Sequence, residues 1–228
     1  MFEYKDQVKK AVLRSQHCQR NYDLSKKIPE HDKELLIHAA TNCPSKQNIR
    51  FYNLHVFDDQ NIIRRIHELT TGVHAYDKDG NFVPTTNSQT MANLLFVFER
   101  REISELSDFG KTKWTDGDQA MVDVYERDLF TSLGIASGYV NLTASMLGYK
   151  TGCCQCYEIE ELKPYLNIKN DPVLMMGVGY RNDEKSRRQH ATTDLVFPTR
   201  TKEEIIVTEN SAMKRNFMFK EKLEAGSK

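Results

Sequence analysis

Residues 118–147 carry the longest helical pattern in the chain, and its apolar positions constrain everything packed around it. Ala120, Met121, Val124, Leu129, Leu133, Ala136, Val140, Leu142, Ala144 and Leu147 recur at the spacing of an amphipathic helix. The stretch Gly134-Ile135-Ala136-Ser137-Gly138 is unusually small for a helix interior. Small residues there lower helix propensity. They also let a second backbone approach closely, which points to the centre of a domain or to a dimer interface. A tightly packed core helix would give the same pattern. Gly148 follows as a C-cap.

The remaining elements read around that helix. Residues 4–14 place Val8, Ala11 and Val12 at helical spacing, and residues 30–41 put Leu35, Leu36, Ala39 and Ala40 on one stripe behind Pro29. Residues 53–57 read as a strand, and residues 60–69 as a helix carrying Ile62, Ile63, Ile66 and Leu69. Residues 72–87 hold the turn signals Asp79-Gly80 and Val83-Pro84 and read as one long loop. Residues 94–98 are apolar throughout, which suits a buried strand. Residues 158–166 predict a short helix interrupted by Pro164, residues 173–180 a strand, and residues 203–208 a short strand or arm. The order indicates an α+β or mixed α/β fold. With no repeat and no Pro/Gly/Ser linker, the 228 residues are expected to form one domain.

Composition narrows the function classes. Lys+Arg and Asp+Glu both number 32, so net charge gives no reason to expect nucleic acid or an anionic membrane as partner. No apolar run is long enough to span a bilayer, and the first residues lack a signal-peptide core. A cytoplasmic protein is expected. The five cysteines, Cys18, Cys43, Cys153, Cys154 and Cys156, are odd in number and three crowd into four residues. That argues against framework disulfides and lacks the repeated spacing of a structural zinc site. Buried, inert thiols and no metal are the expectation.

No catalytic triad can be read from sequence order, and neither a dinucleotide fingerprint nor a phosphate-binding Walker loop is present. Four polar clusters remain: Arg14-Ser15-Gln16-His17-Cys18-Gln19-Arg20, Pro44-Ser45-Lys46-Gln47-Asn48, Gly80-Asn81-Phe82-Val83 and Lys185-Ser186-Arg187-Arg188. Each alone is explained by a solvated helix end, a turn or a surface loop.

Taken together and in order, the clusters resemble the FMN-dependent nitroreductase family over residues 8–188. His17-Cys18-Gln19-Arg20-Asn21-Tyr22-Asp23 is similar to the family's basic N-terminal motif. Ala39-Ala40-Thr41-Asn42-Cys43-Pro44-Ser45-Lys46-Gln47-Asn48 is similar to its Ala-rich helix followed by Pro-Ser-x-x-Asn. Gly80-Asn81-Phe82-Val83 resembles the loop whose Asn faces the flavin pyrimidine. Asn141-Leu142-Thr143-Ala144-Ser145-Met146-Leu147-Gly148-Tyr149 looks like the end of the central helix, and Lys185-Ser186-Arg187 like the basic pair that holds the phosphate. Gln16 and Cys18 stand where the family often has Arg and Ser, and Gln155 and Cys156 where many members have Glu and Gly.

The resemblance implies a central, mainly antiparallel sheet flanked by helices, a long central helix, and a core of about 200 residues. It also implies a C-terminal arm (residues 201–228), in which Ile205-Ile206-Val207 crosses to the partner of a homodimer. It implies FMN bound by Gln16, His17, Cys18, Arg20, Asn81, Cys154, Gln155, Cys156, Lys185 and Arg187. Pro44, Ser45, Lys46 and Asn48 complete the site, with Ser45 and Asn48 coming from the second subunit. Lys185 and Arg187 suit a phosphate dianion. A fixed cation at Arg20 would stabilise negative charge on the reduced ring, and Asn81 can both donate to and accept from the pyrimidine edge. Main-chain N–H groups of residues 154–156 would face N5 and O4. The implied activity is hydride transfer from NAD(P)H through flavin N5 to a nitroaromatic, a quinone or a similar flat acceptor, by ping-pong turnover. No side chain need act as a nucleophile. Reductive dehalogenation, flavin fragmentation, or flavin binding without catalysis are the alternatives.

Overall fold

A computed structural model describes residues 2–73, 75–76, 80–114, 119–199, 201–209 and 213–216. Asp79 of the expected turn, Asp118 at the start of the long helical pattern, and residues 217–228 of the expected arm lie outside the described residues.

The strand Leu94–Arg100 (β4) is buried at every residue from Leu94 to Glu99. Such a strand must have neighbours at both edges and cover on both faces. Tyr52–Phe57 (β1) pairs along one edge and Pro172–Gly179 (β6) along the other, and Lys150–Cys154 (β5) pairs outside β6. The four strands run β1-β4-β6-β5, each pair antiparallel.

Alternation divides the side chains between two faces. Leu94, Phe96 and Phe98 enter the larger core, with Leu36 and Ala40 of the helix Glu30–Thr41 (α2) and with Leu129, Leu133, Ala136, Val140 and Ala144 of the helix Gln119–Met146 (α5). Leu95, Val97 and Met175 meet Ile63 and Ile66 of the helix Gln60–Glu68 (α3) and Leu162 of the helix Ile159–Leu166 (α6).

The N-terminal helix Phe2–Ser15 (α1) docks on α5, where Ser145 Oγ donates to Ala11 O at 2.7 Å. α5 ends at Gly148, whose φ of 92° is the left-handed conformation expected of its cap. Gly134 and Gly138 do not serve core packing. A Cβ at either position would meet no atom within 4 Å. They lie on the outward face, near Phe130, Tyr139 and Met146, which are 47%, 47% and 53% exposed. The small stretch is therefore divided: Ala136 packs in the core, while Gly134 and Gly138 face away from it.

Three local expectations need correction. Residues 72–87 are not all loop, since Ala75–Tyr76 (β2) and Phe82–Val83 (β3) form a small antiparallel hairpin. Pro164 does not interrupt α6, which runs on to Leu166 and stops at Asn167 in a left-handed conformation. Pro164 removes one backbone donor, while the buried Leu162 holds the helix against the sheet. The cysteines are not buried either, for Cys153 is exposed and the other four are half-buried. A short helix, Asp108–Trp114 (α4), and the strand β5 were not anticipated.

Residues from Pro198 onward form a second unit. In it Ile206–Glu209 (β7) pairs antiparallel with Met213–Asn216 (β8). Ile205 and Ile206 are exposed.

His67, in the last turn of α3, is buried and pins residues 86–90. Its Nδ1 lies 3.0 Å from Asn87 O and 2.9 Å from Thr90 Oγ1, and its Nε2 lies 2.7 Å from Thr86 Oγ1. Burial pushes its pKa down from 6.5 to about 4, opposed by the hydrogen bond with Asn87 O and, less, by Glu68, while the neighbouring His190 adds a smaller downward push.

Two outcomes follow from this packing. Leu129→Ala, which empties a fully buried position under β4, should lower unfolding free energy in urea by about 2–5 kcal/mol. Between pH 6.5 and 4 the unfolded chain takes up a proton that folded His67 refuses. Stability should therefore fall as pH drops through that window, by up to about 3 kcal/mol from this group. Urea titrations at the two ends should show a smaller acid loss for His67→Gln than for the parent chain.

Candidate functional site

The residues after α1 run extended between the start of β5 and the turn at residues 186–189. Gln16 and His17 form the bend that ends the helix. Gln19 N then donates to Thr151 O at 2.8 Å, and Arg20 N to Arg187 O at 3.2 Å. Asn21 Nδ2 donates to Ser186 O at 2.7 Å, across 165 residues of sequence, and to Gln189 O at 2.8 Å. Asp23 N reaches Tyr180 O at 3.0 Å. The first and fourth polar clusters are thus one structure, held by main-chain bonds. The end of α5 closes its base, as Asn141 Nδ2 donates to Ser15 O at 3.0 Å and Thr151 Oγ1 donates to Asn141 Oδ1 at 2.5 Å.

This backbone arrangement gathers positive charge. Arg187 Nη1 contacts Cys18 O at 3.4 Å, and Arg188 Nη1 donates to Phe197 O at 2.6 Å. The Arg20 guanidinium lies 4.4 Å over the Phe197 ring. Burial, and then the charges of Arg20 and Arg188, push the pKa of Arg187 down. Burial does the same to Lys150 on β5, reinforced by Arg14, Arg181 and Arg187. Among the described residues, Arg20, Lys150, Arg187 and Arg188 form no ion pair with a carboxylate, whereas Arg181 pairs with Asp183 at 3.2 Å. Like charges this close destabilise one another, and an anion bound among them would reverse the sign of the interaction.

Beside the cations lies a wall of amides and thiols. Gln89 Nε2 donates to Cys18 Sγ at 3.1 Å. Gly152 makes the approach possible, because a Cβ there would stand 2.4 Å from Gln19 O and 2.7 Å from Gln89 Cγ. Asn87 is buried and its Nδ2 donates to Cys156 O at 3.4 Å, while Gln155 Nε2 donates to Val173 O at 2.8 Å. Cys154 ends β5 and Cys156 follows it, so the strand links the cation cluster to this segment.

Cys18, Arg20 and Arg187 are therefore brought together beside the start of β5, with Cys154 at its end and Gln155 and Cys156 just beyond it. The other expected residues stand apart. Pro44, Ser45, Lys46 and Asn48 lie on the turn that leads into β1, and β1 and β5 are opposite edges of the sheet. Lys113 Nζ donates to Gln47 Oε1 there at 2.6 Å, tying the turn to α4. Asn81 is exposed on the β2–β3 hairpin. Lys185 lines a cavity of about 270 Å³ with Asn21, Tyr22 and Met91, where Asn21 Oδ1 is buried without a hydrogen-bond partner. Gln89, Asn87 and Lys150 were not anticipated. The one sequence signal for the two amides is the polar run at residues 85–90 directly before an all-apolar strand.

Comparison with known proteins agrees with this architecture. The family model described as the nitroreductase family matches residues 13–180. Among solved structures, a putative NADH oxidase from Clostridium acetobutylicum is similar at 20% identity, over 84% of this chain and 94% of that one, with a TM-score of 0.50. An FMN-dependent nitroreductase from Clostridium difficile is 17% identical over 78% and 88% of the two chains, with a TM-score of 0.51. A nitroreductase family protein from Streptococcus pneumoniae is 14% identical over 83% and 98%, with a TM-score of 0.57. No curated protein matches the chain. With its central antiparallel sheet, its long helix and a family match over most of its length, this chain belongs to the nitroreductase family.

Proposed function

We propose that the protein is a cytoplasmic, homodimeric, FMN-dependent oxidoreductase that takes hydride from NAD(P)H and reduces a nitroaromatic, a quinone or a similar flat, electron-poor acceptor. The observation that carries this reading is the cluster of Arg20, Arg187 and Arg188, in which burial and then the two neighbouring charges lower the pKa of Arg187, with no carboxylate ion pair among the described residues. A phosphate dianion supplies the missing charge and accepts the guanidinium N–H donors in pairs. When bound, FMN would supply the two-electron chemistry, accepting hydride at N5 and returning it to the acceptor.

The chain's own residues bind and orient. Arg187 and Arg188 hold the phosphate, with Lys185 entering from the same loop. Arg20, stiffened by its stack on Phe197, keeps positive charge against the ring edge that turns negative on reduction. Gln16, His17, Cys18 and Gln89 line the floor, Asn81 meets the pyrimidine edge, and the main chain of Cys154, Gln155 and Cys156 addresses the opposite edge. Pro44, Ser45, Lys46 and Asn48 complete the site from the partner. A dimer built on the outward face of α5 provides them, since Gly134 and Gly138 leave room there for a second backbone. The exposed Ile205 and Ile206 belong to the arm that reaches the partner. The five free thiols suit a reducing compartment.

Two sets of measurements test the reading, the first on the flavin and the second on the dimer. The protein reconstituted with FMN should be yellow and should bleach with NADPH or NADH under anaerobic conditions. Arg187→Ala should weaken FMN binding at least tenfold, about 1.4 kcal/mol, and Arg187→Lys should weaken it less. Unchanged affinity in Arg187→Ala overturns the phosphate assignment, and a yellow protein that no pyridine nucleotide bleaches overturns the oxidoreductase while sparing the binding. The second set concerns the dimer. Gly138→Leu meets open space within the chain and gains up to about 1 kcal/mol of helix propensity, so the monomer should fold. In light scattering the parent should run at dimer mass, and Gly138→Leu at monomer mass with FMN affinity lost. A parent that stays monomeric with FMN bound sinks the shared site.

A further inference from the structure

The segment after β5 carries something that flavin binding through the main chain does not use. Cys154 Sγ donates a hydrogen bond to Cys156 Sγ at 2.8 Å. Two thiols separated by one residue have been brought into direct contact, on a piece of chain fixed from both sides. Gln155 Nε2 is bonded to Val173 O at 2.8 Å, Tyr157 Oη donates to Pro172 O at 2.8 Å, and Cys156 O accepts from Asn87 Nδ2 at 3.4 Å. The bonds to the start of β6 hold the intervening and following residues, which leaves the two sulfurs facing each other rather than free to turn away. Neither residue is fully buried, so a small reagent can reach them.

The third cysteine of the run is excluded by the pleat. Successive residues of a strand point to opposite faces. Cys153 is opposite Met176, which belongs to the core under α5, and Cys154 is opposite Met175, which belongs to the core under α3 and α6. Cys153 therefore cannot pair with Cys154 without breaking the strand, whereas Cys154 and Cys156 share a side. A metal is no better occupant, because among the described residues no group of three His, Cys, Asp or Glu side chains stands together.

From this geometry we propose that Cys154 and Cys156 form a redox-active dithiol that closes an intramolecular disulfide by exchange with a low-molecular-weight disulfide such as glutathione disulfide. The hydrogen bond sets the roles. Cys154 is the donor and keeps its proton, and burial, then that bond, push its pKa up. Cys156 accepts the bond and is the attacking sulfur. Its thiolate, having lost a proton to solvent, attacks one sulfur of glutathione disulfide. The glutathione S–S bond breaks, a Cys156–glutathione disulfide forms, and one glutathione thiolate leaves. Cys154 gives its proton to that thiolate and attacks Cys156 Sγ, expelling the second glutathione as thiolate. Two cysteine thiols are oxidised, one disulfide is reduced to two thiols, and two electrons pass between them. None of these steps requires flavin, so the proposal does not rest on the oxidoreductase reading.

The test uses the full chain. Reduced protein is equilibrated in buffers of graded glutathione disulfide to glutathione ratio, quenched by alkylation, digested, and analysed by mass spectrometry, with circular dichroism confirming the fold at each ratio. The expected result is a peptide spanning both residues that loses two hydrogens and resists alkylation as the ratio rises, reversibly with dithiothreitol. The midpoint should be unchanged in Cys153→Ser. In Cys154→Ser the attacking sulfur remains, and Cys156 should instead retain one glutathione. The proposal is overturned if both residues are alkylated at every ratio in folded protein, or if the cross-link that forms joins Cys18 to Cys153. Colourless protein that still forms the Cys154–Cys156 disulfide would overturn the flavin reading alone.

Discussion

Burial of β4 on both faces is the constraint from which the rest of the molecule follows. Six consecutive buried residues leave the strand's backbone groups dependent on the neighbouring strands and its apolar side chains dependent on the helices that cover both faces. The alternation Leu94, Phe96, Phe98 against Leu95, Val97 then allots a separate layer to each face. α5 is long enough to cover the first layer and still continue beyond it, so its buried stripe turns the glycines outward. The same strand order puts β5 at a sheet edge, where its start can receive the chain leaving α1.

That edge position explains how an electrostatically unfavourable cluster can exist at all. Arg20 and Arg187 are not drawn together by their side chains, which repel. They are placed by backbone bonds from Gln19 to Thr151 and from Arg20 to Arg187, and by the amide of Asn21 across the 186–189 turn. Each such bond contributes about 1 kcal/mol, and hydrophobic burial in the sheet anchors both ends. The stack of Arg20 on Phe197 holds a guanidinium in place with no counter-ion. An anion bound among these cations would therefore gain from charge that the backbone has already brought together.

What the residues alone revealed, and what they did not, divides along the range of the interactions. Helices α1, α2, α3 and α5 and strands β1, β4 and β6 were legible because hydrophobic periodicity is local. β5 was not, since Lys150-Thr151-Gly152-Cys153-Cys154 has no apolar alternation and is a strand only because β6 pairs with it. Pro164 read as an interruption, and tertiary packing of Leu162 overrode it. At the site, Arg20 and Arg187 could be named from a resemblance in motif order, yet their meeting depends on bonds spanning most of the chain. Gln89 and Lys150 carry no motif, so only the folded geometry singles them out. The Cys154–Cys156 contact forms just past the end of β5, where bonds to the start of β6 hold the chain, and an expectation of buried, inert thiols gives no hint of it.

The separation of Ser45 and Asn48 from Arg20 in one chain bears on how a shared site could arise. The turn bearing them lies at the β1 edge and the cations at the β5 edge, with β4 and β6 between. Paired in this order, the sheet of one chain does not itself join the two edges. A two-fold axis can, because an isologous dimer brings residue i of one copy to residue j of the other and the converse. Such an axis needs a self-complementary surface, and close approach of two helices needs small residues at the crossing. In the dimer proposed above, Gly134 and Gly138 would be the small residues at that crossing, since a Cβ at either meets no atom of this chain within 4 Å. The open space beside the two glycines of the longest helix is what the proposed dimer would use.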